Sequence, residues 1–466
     1  MTTRLYFKLL LLCGAITFAG CGKSGYLDKP NSDNVVPKSY ADFRAILENT
    51  SVMNLTPTLG ELSADNYYIS DYGFYQGLDT RQRNAYTWQQ DIYGGQGSVG
   101  DWNIPYQQVF YANVILDGLS ILKTDSINGN SDWRNLKGAA LFTRAYAFYN
   151  VVSVFAGAYD SSTAGAVLGI PLRLHSEIDS KSIRATLQDS YQQIINDLLA
   201  AKDLMTIGVQ RNNLNRPSRP AALAMLSRVY LSMRAYSEAG KCADSCLQAY
   251  SNLQDYNDVP NISLSIPFPN PASNLDIIYE SNFITTTPTV LLGSVYPKVV
   301  IDSNLYGAYA TNDLRKRMFY RLNSVSLPIL KGGYGGSLVP FSGLATDEVM
   351  LIRAECRARA GLKDDALSDL NGLLGMRYVT DSLVPVQAPD AAAALDSILV
   401  HRRKELAFRG IRWTDLKRLN KEGRNIILKR VLNGQPYQLL PNSNRYVLPI
   451  PPDVISLTGM PNNPRD

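Results

Sequence analysis

Side chains that make and break bonds are scarce in this chain. It has two histidines, His175 and His401, and they form no H-E-x-x-H pair of the kind that presents two imidazoles to zinc from one helix face. There is no G-x-S-x-G nucleophile turn and no phosphate loop. The glycine-rich piece Gly332-Gly333-Tyr334-Gly335-Gly336 lacks the Lys-Ser/Thr that phosphates need and reads as a loop. Besides Cys13, in the leader, and Cys21, the chain holds Cys242, Cys246 and Cys356. Three is an odd number, so these read as small buried hydrophobes and not as a disulfide framework or a metal set. Glycoside hydrolysis needs only two carboxylates, and 41 acids are present, so a surface glycosidase remains one alternative. No catalytic, cofactor or metal constellation emerges, and the chemistry on offer is non-covalent recognition.

The residue in excess is tyrosine, 28 against 13 phenylalanines. Its ring is apolar and its tip is polar, which suits wet binding surfaces. Aromatic residues crowd two stretches without sustained periodicity. Residues 61–102 hold Tyr67, Tyr68, Tyr72, Phe74, Tyr75, Tyr86, Trp88 and Tyr93; residues 251–342 hold Tyr296, Tyr306, Tyr309, Phe319 and Tyr320. A saccharide offers apolar C–H faces to rings and a hydroxylated rim to Asn, Asp, Gln or Arg. We therefore place the candidate ligand site at Tyr67, Tyr72, Tyr75, Trp88, Tyr306 and Tyr309, for an oligosaccharide or a peptide. The competing reading is that each ring packs a loop onto a helix.

These loops need a frame, and the frame is helical. Leu395, Ile398, Leu399 and Leu406 recur at helical spacing, Gly410 is a natural stop, and a second helix runs through Trp413, Leu416 and Leu419. Glu405 and Arg409 stand four apart, the spacing at which side chains meet on a helix. The arginines of this hairpin require carboxylates, of which Glu405 and Asp415 are nearest in sequence. Further helices are expected over 40–50, 133–156 and 186–205. Ser227, Ala239, Ala243 and Cys246 recur at the same offsets as Ala354, Ala366, Leu370 and Leu373, the pattern of closely packed helix pairs, although the copies stand 127 residues apart. Short β-prone pieces (277–279, 299–301, 327–330) interrupt the second aromatic stretch. The fold expected is mostly α: a tetratricopeptide-like helical-pair scaffold over about 41–60, 103–250 and 343–430. Long irregular insertions with a few short strands fill 61–102 and 251–342, and a non-helical tail covers 431–466.

The first residues read as an address. Arg4 and Lys8 precede a short apolar run, and Phe18-Ala19-Gly20-Cys21 has small residues before a cysteine, the pattern of a lipidated leader. Residues 1–20 are expected to be removed as a signal peptide, Cys21 to be acylated, and 21–40 to act as a tether that keeps the domain off the membrane. No later stretch offers a spanning run of apolar residues. The formal charge is +5, and losing Arg4 and Lys8 leaves +3, too small an excess to argue for nucleic acid.

Several of these motifs resemble the SusD/RagB-like family of nutrient-binding outer-membrane lipoproteins. That family's hairpin reads E-R-R-x-E-L-x-F-E-G-x-R-W-x-D-L-x-R. Here Arg402-Arg403, Glu405-Leu406, Phe408, Gly410, Arg412-Trp413, Asp415-Leu416 and Arg418 match, while His401 and Arg409 replace two acids. Tyr26-Leu27-Asp28-Lys29-Pro30, Ser63-Ala64-Asp65-Asn66, Trp102 to Asn113, Arg144-Ala145-Tyr146, Ile352 to Asn371 and Tyr446 to Pro451 are similar to other family segments. The resemblance implies a non-enzymatic receptor at the outer membrane, facing the exterior. Its implied partner is a TonB-dependent barrel of the SusC type, to which it delivers oligosaccharide or peptide. A helical-repeat scaffold for surface assembly is the alternative among binding proteins.

Overall fold

Helical periodicity in the sequence becomes a succession of helices, each covering the apolar face of another. The computed structural model describes residues 37–122, 131–285 and 297–466; the expected leader, Cys21 with the expected tether as far as residue 36, and Tyr296 lie outside them. Residues Tyr40–Asp466 form one compact unit. At its centre runs the Ser131–Phe155 helix, buried at almost every position from Leu136 onward. A helix apolar on all sides must be surrounded, and this one packs against Tyr40–Leu47, Gly100–Ile121 and Leu187–Leu204. Its one deeply buried cation, Arg144, is matched by Asp197, which accepts two hydrogen bonds at 2.8 Å. Helix starts carry local signals: Thr186 accepts from Asp189 N–H, Ser218 from Ala221 N–H and Asp390 from Ala393 N–H.

The two repeat copies, remote in sequence, are neighbours in space. The Arg219–Ser232 and Tyr236–Ala249 helices form one pair, Thr346–Arg359 and Lys363–Gly375 the other, and Tyr236–Ala249 packs on Thr346–Arg359. All eight equivalent positions, from Ser227 to Cys246 and Ala354 to Leu373, are fully buried. Gly240 lies against Cys356, where an added Cβ would stand 3.2 Å from that residue's own. Asp244 meets Arg353 at 3.2 Å and Arg357 at 3.4 Å. These contacts make the two helices antiparallel, so the insertion that leaves after Ala249 returns to the same end of the scaffold at Thr346.

Within the insertions the short strands pair two by two: 67–69 with 299–301, 55–56 with 282–283, 277–279 with 344–345, and 320–322 with 328–330. The strands expected at 277–279, 299–301 and 327–330 occur at Ile277–Tyr279, Val299–Ile301 and Pro328–Leu330. Three expectations are corrected. Much of 61–102 is not loop but short helices, Leu59–Ser63, Tyr72–Gln76 and Thr80–Tyr86, each too brief to show a period. The C-terminal segment is not devoid of regular structure. Leu428–Leu432 and Gln435–Leu439 make a hairpin turned at Asn433 (φ 49°) and Gly434 (φ 77°), and Pro452–Thr458 is helical. The scaffold helix Ala391–Glu405 ends before Gly410, so Glu405 and Arg409 never meet across a helical turn. Phe408 and Gly410 then take left-handed backbone (φ 61° and 74°), and Arg412–Lys421 begins the second helix.

Candidate functional site

The scaffold hairpin carries an internal ion network. Asp415 accepts from Arg402 (2.9 Å) and Arg418 (2.8 Å), and Arg418 also binds Glu355 through two bonds of 2.6 and 2.8 Å. Glu405 is held by Arg315 (2.9 Å) and Arg377 (2.6 Å), and Arg409 reaches Asp347 at 3.2 Å. His401 lies beside Arg315 (3.3 Å); burial and that cation push its pKa down to about 3, so it is neutral. Burial pushes the thiols of Cys242, Cys246 and Cys356 up to about 11, 12 and 12, which leaves them protonated and unreactive. Among the described residues no group of acids, histidines and cysteines is arranged to hold a metal ion.

This network grips the aromatic insertions. Arg412 binds Asp65 through two bonds of 2.7 and 2.9 Å, and Arg403 reaches Asp65 (3.2 Å) and Asp302 (3.2 Å) together. Burial works against the Asp65 charge, yet Arg412 and Arg403 override it and hold the carboxyl well below its ordinary range. One scaffold arginine therefore ties both insertions to the frame. The Tyr67–Ile69 strand, paired with Val299–Ile301, joins them to each other.

The six aromatic residues singled out in the sequence divide into two sets. Tyr67 and Trp88 are buried. The Tyr67 hydroxyl donates to Leu62 C=O (2.8 Å) and the Trp88 indole N–H donates to Ser63 C=O (2.9 Å). With Tyr86 they box the Arg430 guanidinium, which lies 5.2, 4.7 and 3.7 Å from the three ring centres and donates to the carbonyls of Leu62, Ala64 and Tyr86. Tyr309 is buried as well, donating to Lys404 C=O (2.7 Å) and sharing a hydrogen bond with Tyr320. These three rings are closed to a ligand because the protein's own cations and carbonyls occupy their faces and tips.

The other three reach solvent. Tyr72, 41 % exposed, stacks on half-buried Tyr75 with ring centres 6.0 Å apart and planes 21° apart. Their short helix is fixed at its start by Asp71, which accepts from Phe74 N–H at 2.6 Å. Arg83 donates to Gln76 and Leu78 carbonyls (2.7 and 2.8 Å), locking the end of the same helix. Burial raises the pKa of the Tyr75 hydroxyl, and half-buried Tyr437, from the C-terminal hairpin, is among its neighbours. Tyr306 stands apart. Antiparallel pairing sends the chain toward Tyr72 from one end of the ladder and toward Tyr306 from the other. Its ring carries the Lys316 ammonium at 4.6 Å.

A concavity that the sequence reading missed opens along the Gly100–Ile121 helix. It measures about 290 Å³ and is lined by Trp102, Tyr106 and Phe110, with Pro171, Ile178 and Val454 among the facing residues. The rings stand at positions i, i+4 and i+8, but Trp102 to Asn113 entered the sequence reading only as a segment similar to the family's.

The sequence matches two family profiles. One, described as starch-binding and associating with the outer membrane, covers residues 25–231; the other, the SusD family, covers residues 346–464. A SusD-like protein, P2, of Formosa agariphila is 25 % identical over 78 % of this chain and 79 % of its own. Among solved structures, a putative sugar-binding protein of Bacteroides vulgatus superposes with a TM-score of 0.72 at 21 % identity, over 92 % of this chain and 99 % of that one. A surface glycan-binding protein of Bacteroides uniformis gives 0.67 at 14 % identity, over 91 % and 99 %. At such identities the structural likeness establishes the shared fold.

Proposed function

The chain belongs to the SusD family, a family of glycan-binding proteins, and from that premise we propose that it captures oligosaccharide at the cell surface without transforming it. The supporting observation is the Tyr72–Tyr75 pair, an exposed stack of rings on a short helix pinned at both ends. A pre-set ring pays little ordering entropy on binding, and each ring contact adds about 0.5–1.5 kcal/mol beyond burial. Two or three such contacts supply about 1–4.5 kcal/mol, which by itself reaches roughly millimolar affinity. Gln76, Asp71 and Lys298 stand beside the pair as rim groups for hydroxyls; Lys298 Nζ lies 3.9 Å from Asp71. The captured ligand passes to a TonB-dependent barrel of the SusC type, and acylated Cys21 holds the protein at the outer membrane facing outward.

Calorimetry of the wild type and of Tyr72→Ala/Tyr75→Ala against a glycan panel and a peptide panel tests the reading. We expect binding from the glycan panel that falls at least tenfold in the double variant, whose melting temperature stays unchanged. Binding from the peptide panel alone transfers the same site to peptide cargo. Silence on both panels, or release of reducing ends from a bound glycan, overturns the proposal.

A further inference from the structure

The cleft beside Trp102, Tyr106 and Phe110 has walls that are already fixed. Asn113 donates to the carbonyls of Arg173 (2.9 Å) and His175 (3.1 Å), and Asp117 accepts from Ser176 N–H (2.9 Å) and Oγ–H (2.7 Å). Asn113 and Asp117 both sit on the Gly100–Ile121 helix, so the facing loop is stapled to the element that carries the rings. Arg173 folds back within that loop, donating to Ser182 Oγ (3.1 Å) and to the carbonyls of Glu177 and Ser180. The third wall is the Pro452–Thr458 helix, where Thr458 Oγ–H donates to Val454 C=O at 2.7 Å. Such a cleft exists before any ligand arrives.

The same bonds decide what it takes. The Tyr106 hydroxyl donates to Pro171 C=O at 2.9 Å. Asn113, Arg173, Ser182 and Thr458 are engaged as just described. The interior therefore presents ring faces and aliphatic groups, with its polar side chains already committed to protein partners. A hydroxylated sugar ring would lose hydrogen bonds to water there and gain few. A flat apolar ring loses none. An apolar cavity of roughly 150 Å³ accepts one benzene, so about 290 Å³ accommodates a substituted or fused ring. Trp102 and Tyr106 lie 4.9 Å apart, and Phe110, 37 % exposed, extends the row toward the mouth. Ile178, 80 % exposed, stands over the opening, and the exposed His175 and Glu177 supply polar groups outside it.

We propose that this cleft is a second binding site, which takes an aromatic ring borne by the cargo, ring inward and polar attachment outward past His175 and Glu177. It shares no lining residue with the Tyr72–Tyr75 stack. The ring has two chemical sources, an aryl substituent on a glycan or the aromatic side chain of a peptide.

The test titrates the full-length protein in detergent with two matched pairs of probes. These are 4-nitrophenyl β-glucoside against methyl β-glucoside, and N-acetyltryptophanamide against N-acetylalaninamide. Readouts are calorimetry and the indole N–H NMR signal of Trp102. We expect at least one aryl probe to bind, to shift that signal, and to keep binding in Tyr72→Ala/Tyr75→Ala. Phe110→Ala should weaken it roughly tenfold, the loss of one ring contact, and Thr458→Trp, which fills the cleft, should abolish it. Should Phe110→Ala fail to fold, Ile178→Asp at the mouth serves in its place. Preference for the glucoside or for the amide identifies the source of the ring. Equal binding of aryl and non-aryl partners, an unmoved Trp102 signal, or affinity indifferent to these variants overturns the proposal. Loss of glycan binding at Tyr72 alone would leave it standing.

Discussion

Three aromatic rings around a cation usually suggest a ligand cage, but at Tyr67, Tyr86 and Trp88 the cation is Arg430 of the same chain. Its role is to satisfy the carbonyls of Leu62, Ala64 and Tyr86 and to fix the base of the aromatic insertion. Arg430→Met should therefore cost about 2–4 kcal/mol of stability, since the buried carbonyls of Ala64 and Tyr86 lose this donor while Leu62 keeps the Tyr67 hydroxyl; chemical denaturation would register this as a lower midpoint. Glu61 is a second buried group with a measurable consequence. Burial raises its pKa to about 7, only partly offset by hydrogen bonds from Asn66 and the Gly410 N–H. A carboxyl with a raised folded pKa contributes stability below its unfolded value near 4.5, and that contribution is lost as pH rises through about 7. Stability should fall by about 3 kcal/mol across this window on account of Glu61, and Glu61→Gln should flatten the decline in melts recorded between pH 4.5 and 8. Composition alone could not separate Tyr67, Trp88 and Tyr309 from Tyr72, Tyr75 and Tyr306. Burial of a ring depends on partners such as Arg430 and Lys404, which stand hundreds or scores of residues away.

Among the elements, the 395–419 hairpin was legible because two long apolar stripes flank a glycine, and its Asp415 partners Arg402 and Arg418 as expected. The short helices of 59–86 were not legible, since five to seven residues make at most two turns. The Leu428–Leu439 hairpin was overlooked although Asn433-Gly434 is a strong turn signal; the flanking strands alternate buried and exposed only on the first arm. Arg403 links the elements that carry rings to those that carry the frame. Arg403→Met should leave the melting temperature within about 2 °C, because the side chain is partly exposed and such pairs are weak. Amide exchange should nonetheless quicken over 65–69 and 299–302, the two strands that Arg403 anchors; unchanged protection there would mean that the Tyr67–Ile301 ladder suffices alone.

Taken as a whole, the molecule centres its ion network on the scaffold hairpin and carries the Tyr72–Tyr75 stack on an insertion, and no described helix is long and apolar enough to cross a membrane. Under the proposed function, residence at the membrane falls to acylated Cys21. In Cys21→Ser, we expect the protein to leave the membrane fraction of cells while its affinity for glycan is unchanged. Retention in that fraction would assign anchoring to another part of the chain. The antiparallel packing of Tyr236–Ala249 on Thr346–Arg359 has a further consequence. The segment between them departs and returns at one edge of a pre-built frame, so lengthening it adds only a logarithmic closure term. Its solvent-facing turns can therefore lengthen or change at little cost, whereas Arg315, which neutralises Glu405, and Tyr279, which seats on Phe142 and Tyr146, must stay for the chassis beneath to keep its fold.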